Sequence, residues 1–129
     1  MTEEDDTMTA TDITIPVTTE AGRLAVYIQQ ELGALLGKEQ PYDGGCRTFY
    51  SPEEWTARGE SYGRESCLIV VHDGGDYAYA FNHSYGDSTL MEAMRGALDA
   101  EGYYAEACTG WYTAIYPAPR VGNFADKEN

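Results

Sequence analysis

The 129-residue chain predicts an α+β domain, with amphipathic helices packed on an antiparallel sheet. Three observations carry that expectation. Leu24, Ile28, Leu32 and Leu35 recur at three- and four-residue spacing, which puts them on one helical stripe. Cys67 to Val71 is a short apolar run rich in β-branched residues, the composition of a buried strand. Tyr77-Ala78-Tyr79-Ala80-Phe81 alternates large and small side chains at period two. As a strand it would send Tyr77, Tyr79 and Phe81 to one face and the alanines to the other.

Taken in order, residues 1–12 are acidic, lack periodicity and read as a disordered tail. A single domain is expected over 13–117, with a C-terminal tail at 118–129. Thr18 or Thr19 caps a helix running to about Leu36, and Gly37 suits its C-terminal end. Lys38 to Gly45 is a loop, marked by Pro41 and Asp43-Gly44-Gly45. Cys46 to Tyr50 reads as a strand. Ser51-Pro52-Glu53-Glu54 is a strong helix start: a capping serine, proline at the first helical position, then acids facing the positive helix end. That helix ends near Gly59 or Gly63.

His72-Asp73-Gly74-Gly75-Asp76 has the chemistry of a hairpin turn leading into 77–81. Asp87 or Ser88 then opens a helix through about Ala100, with Leu90, Met91, Met94, Ala97 and Leu98 facing inward and Gly102 ending it. Arg95 stands between Glu92 and Asp99 at helix-pair spacing. Tyr103 to Cys108 and Trp111 to Tyr116 read as strands, either a hairpin or one bulged strand.

From Cys46 onward the order is β-α-β-β-α-β, the ferredoxin-like split unit, with an additional N-terminal amphipathic helix. Both helices of that unit would cover the alanine face of 77–81, leaving its aromatics on the other. The expected cover for those aromatics is helix 19–36, giving three layers. A homodimer through that face is the second choice. The third puts helix 19–36 beside the other helices and leaves the aromatics to a partner.

The net charge of −14 comes from 22 acidic and 8 basic residues. No basic stripe exists to meet phosphates, which disfavours direct nucleic-acid binding, and no nucleic-acid partner is expected. No apolar run reaches the length of a membrane span, and the N-terminus lacks the basic-then-apolar order of a secretion signal. A soluble, cytoplasmic protein is expected. Cys46, Cys67 and Cys108 show no CxxC spacing and fit neither a disulfide framework nor a zinc motif. Gly44-Gly45 and Gly74-Gly75 match no nucleotide loop, and no cofactor is expected.

Two chemical constellations merit testing against geometry. His72, Asp73 and His83, with Asp76 and Asp87, could ligate a divalent metal, though a polar turn explains the same residues. Cys108 could act as a nucleophile with His72 or His83 as base, against a plain reading as a small buried side chain.

Surface recognition is better represented. Tyr77, Tyr79, Phe81, Trp111, Tyr112 and Tyr116 offer rigid aromatic area with polar tips, unless they are core. Glu53, Glu54, Glu60 and Glu65 gather around the short helix, with Glu92, Asp99 and Glu101 on the later one, interrupted by Arg58, Arg64 and Arg95. The leading expectation is a small acidic protein-binding protein, an inhibitor or DNA mimic of the anti-defence type that engages a basic or nucleic-acid-binding partner. The rival classes are a small metal- or Cys/His-dependent enzyme and a homodimeric structural module.

Overall fold

Thr19 opens helix α1 (Glu20–Leu36) by accepting the Gly22 N–H on its hydroxyl at 3.1 Å, and Gly37 ends the helix at φ 70°. Leu24, Ile28 and Leu32 are buried with Ala21, Ala25 and Gln29, whereas Leu35, in the last turn, is exposed. The computed structural model describes residues 13–45, 47–86 and 88–118. The expected tail at 1–12, all of the expected C-terminal tail beyond Ala118, Cys46 and Asp87 lie outside the described residues.

Strand β1 (Phe49–Tyr50) leads into helix α2 (Pro52–Ala57), which has the anticipated start. Ser51 accepts the Glu54 N–H, and the Glu54 carboxylate accepts the Ser51 N–H, a reciprocal capping box. Strand β2 (Leu68–Val71) is buried at every position. Helix α3 (Gly75–Phe81), a 3₁₀ turn (His83–Tyr85) and helix α4 (Ser88–Ala100) follow. Strands β3 (Tyr103–Ala107) and β4 (Tyr112–Pro117) close the sheet as a hairpin. The sheet is four-stranded and antiparallel, in the order β1-β2-β4-β3.

The class is therefore α+β, but the ferredoxin-like order is not what the chain builds. The difference lies at 77–81, which is helix rather than strand. Tyr77, Ala78, Ala80 and Phe81 are buried and Tyr79 is exposed, a pattern that fits helical spacing and contradicts a strand. The His72–Asp76 tract is consequently a strand-to-helix passage. Its glycines meet the other glycine pair: a Cβ on Gly44 would lie 2.7 Å from the Gly74 carbonyl carbon. Asp76 secures the contact, its carboxylate accepting from the Tyr42 N–H at 2.7 Å and from Lys38 Nζ at 2.6 Å.

Strand alternation divides the core in two. Leu68, Val70 and Ile115 point to the side covered by α1, α3 and α4, joining Ile28, Leu32, Tyr77, Phe81, Met94 and Leu98. Ile69, Val71, Tyr112 and Ala114 point to the other side, where their buried partner is Trp55 of α2. Helix α1 thus lies beside the other helices, and the three-layer arrangement expected for it is overturned. Because Tyr77 and Phe81 belong to a helix of that same layer, they bury themselves and need no separate cover.

The second side is covered thinly. Trp55 sits against Tyr50, Trp111 and Tyr112, with ring centroids 5.0, 5.9 and 4.8 Å away. Gly63, at φ 84°, lets the preceding loop lie flat on the sheet: a Cβ there would stand 2.7 Å from the Ile69 Cδ1. No described helix is long and apolar enough to cross a membrane.

Candidate functional site

The short helix α2 and the hairpin β3–β4 position the groups of greatest interest. An open cleft of about 720 Å³ runs between the starts of α1 and α2, the segment before β2, and the end of β4. It gathers Glu53, Glu54 and Glu65, three of the expected acids, and adds Glu20 and Cys67, which sequence reasoning did not assign to a site. Two of the acids proposed for binding have local partners. Glu54 receives Arg47 at 2.6 Å besides its capping role; burial alone would raise its pKa, but the Ser51 N–H and the Arg47 guanidinium outweigh that and hold it low. Glu60 pairs with Arg58 at 3.3 Å. Glu53 and Glu65 are exposed, with no ion pair among the described residues.

The bases of this region are turned to local work. Arg47 lies 4.1 Å from the centre of the Tyr50 ring, and Arg58 lies 4.8 Å from that of Trp55, each as a cation on an aromatic face. Their charges compensate carboxylates and rings of the fold itself. Arg64, exposed in the loop beside Glu65, is the remaining base of this neighbourhood.

Beyond the reach of α2, the β3–β4 half of this sheet side carries an aromatic pair. Tyr104 and Tyr116 stand opposite one another in the ladder and stack with centroids 5.6 Å apart and planes at 25°. Tyr104 is exposed and Tyr116 half-buried. Burial pushes the Tyr116 phenol up, and Cys108, Glu106, Tyr104 and Glu65 push it further. Glu65 therefore belongs both to the acidic cleft and to the surroundings of this pair. Tyr104 and Glu106 were not singled out from sequence; their alternation with Tyr103 and Ala105 was the available signal.

The aromatic residues expected to form one surface are dispersed. Tyr77 and Phe81 are core of the helical layer. Tyr79 is exposed on α3 and packs edge-on against Tyr85. Tyr112 is buried against Trp55, and Trp111 lies exposed over it at 4.6 Å. Of that set, Trp111 and Tyr112 lie against Trp55 of α2, and Tyr116 packs on the same side of the sheet.

The enzyme constellations are also placed. His72 is buried, stacked on Phe81, with Nε2 2.8 Å from the Thr113 hydroxyl oxygen. Burial lowers its pKa to about 4, against opposing effects of its own backbone and the Asp73 carboxylate, with His83 adding to the lowering. Asp73 is exposed; His83 is exposed too, its Nε2 3.4 Å from the Arg95 guanidinium. Asp76 is engaged with Lys38 and Tyr42. Among the described residues, no group of three His, Cys, Asp or Glu side chains is placed to hold a metal ion.

Cys108 packs on the Trp55 side of the sheet, whereas His72 faces the helical layer. The sheet separates them, so the pairing of Cys108 with His72 is not assembled. Burial and Glu106 raise the Cys108 thiol, and burial and Glu20 push Cys67 up to about 11; both favour the thiol over the thiolate. Compared with family models, curated proteins and solved structures, the chain matches none.

Proposed function

We propose that this protein is a small acidic binding protein that occupies a basic surface on a protein partner, the kind of surface that nucleic-acid-handling proteins present. The observation that carries the reading is the position of Glu65. It lines an open cleft with Glu20, Glu53 and Glu54, and its charge, like that of Glu106, also raises the Tyr116 phenol. Carboxylates beside aromatic faces receive lysine and arginine side chains in two ways, by charge and by cation–π contact. The overall charge of −14 steers a basic partner toward the site and repels an acidic one.

The test is capture of partners on immobilised protein at low and high salt, in parallel with a Glu65→Lys/Glu106→Lys variant. A protein retained at low salt, released at high salt and lost by the variant is the expected outcome. Identical capture by both proteins would remove the acidic site from consideration.

A further inference from the structure

Strand β3 is the edge of the sheet on the side away from β1. Its backbone bonding is fixed by the bonds that bracket it: the Cys108 N–H donates to the Tyr112 carbonyl at 3.1 Å and the Ala118 N–H to the Gly102 carbonyl at 2.8 Å. Antiparallel ladders alternate, so Tyr104 and Glu106 direct their backbone groups at β4. Tyr103, Ala105 and Ala107 direct theirs outward. Natural edges are commonly blunted by proline, lysine or a bulge, and β3 carries none of the three.

Beside this edge runs an open groove of about 370 Å³ between β3 and α4, lined by Arg95, Gly96, Asp99, Tyr103, Tyr104 and Ala105. Gly96 forms part of its wall on α4. This residue sits inside a 13-residue helix, where glycine weakens the helix, yet a Cβ there would meet nothing within 4 Å. Packing within the fold supplies no reason for glycine at this position, and the space beside it is open to a side chain from outside.

Building on the acidic-binding reading, we infer that β3 is a strand-addition site that takes an extended basic segment of the partner, pairing with the outward backbone groups of Tyr103, Ala105 and Ala107. Residues of the added strand that fall opposite Tyr104 and Glu106 share their side of the sheet, where lysine or arginine meets a carboxylate and a ring face. The alternate residues fall over Ala105 and Gly96, where a small apolar side chain fits. The preferred partner segment therefore alternates basic and apolar residues. A second copy of this chain is disfavoured at the same edge, because each copy carries −14.

The probe is a synthetic peptide of alternating lysine and valine, compared with one of alternating lysine and proline that has equal charge but lacks half the backbone donors. The test protein is Ala105→Pro, whose lost N–H points away from β4 and so leaves the ladder intact. Gly96→Leu, which fills the groove, is the second variant. The lysine–valine peptide is expected to bind the parent chain and to slow amide exchange at Tyr103, Ala105 and Ala107. Each variant is expected to weaken that binding about tenfold or more, down to the level of the lysine–proline peptide.

Equal binding of both peptides to parent and variants would overturn strand addition while leaving an acidic surface that binds bases by charge. Failure of both peptides to bind would remove both inferences. A dimer of the parent chain that Ala105→Pro converts to monomer would assign the edge to self-pairing and overturn the partner segment.

Discussion

His72 Nε2 lies 2.8 Å from the Thr113 hydroxyl oxygen, which joins the residue following β2 to β4 inside the helical layer. The buried imidazole is held neutral, with its pKa lowered to about 4. An unfolded chain recovers the ordinary value of 6.5 and binds a proton that the folded chain refuses. This contribution to stability is present above the unfolded value and declines as pH falls toward the folded one. Between about pH 7 and about pH 5 it should remove about 1–2 kcal/mol. Denaturant melts of the parent and His72→Gln at both pH values check this; the parent should lose more stability on acidification than the variant.

Tyr116 offers a spectroscopic reading of the acidic site. Its phenol is raised from 10.0, first by burial and then by Cys108, Glu106, Tyr104 and Glu65. Glu65→Gln and Glu106→Gln remove two of these influences, so each should move the Tyr116 titration downward. NMR-monitored alkaline titration measures it, and an unchanged midpoint in both variants would place the carboxylates too far away to matter.

Among the described residues, Trp55 is the buried side chain that α2 contributes to the second side of the sheet. It is fully buried against Tyr50, Trp111 and Tyr112, so Trp55→Ala should cost about 3–5 kcal/mol. Urea unfolding followed by far-UV circular dichroism tests the value. A cost under about 1 kcal/mol would be that of a surface residue and would contradict this packing.

Gly96 predicts the opposite sign. Its backbone needs no positive φ and its surroundings are open, so Gly96→Ala should stabilise the protein by about 0.5–1 kcal/mol through helix propensity. Thermal melting should show a higher midpoint.

Local chemistry was legible wherever one short stretch decided the outcome. Thr19 and Gly37 bracket α1 as their side-chain and φ preferences dictate, and Ser51-Pro52-Glu53-Glu54 starts α2 with the capping box its spacing implies. Cys67 to Val71 contains a buried strand because a short β-branched run has few other stable uses. The segment Tyr77 to Phe81 was ambiguous in principle. Tyr77 and Phe81, four residues apart with Ala78, Tyr79 and Ala80 between them, satisfy a helix face and an alternating strand alike, and only docking on the helical layer chose between them.

The candidate site was legible in charge and hidden in position. Glu53 and Glu65 are where the sequence put them, beside α2, but Glu54 and Glu60 are occupied by Arg47 and Arg58 through contacts that residue order does not reveal. Tyr104, Glu106 and Gly96 acquire a shared role only because β3 takes the edge of the sheet and α4 lies beside it. From its sequence alone this protein has its acidity, its helix ends and its buried strand, since these follow from side-chain charge and local backbone preference. Strand order, the side each helix covers and the exposure of one edge were decided by tertiary structure, because they depend on which apolar faces bury one another across distant parts of the chain.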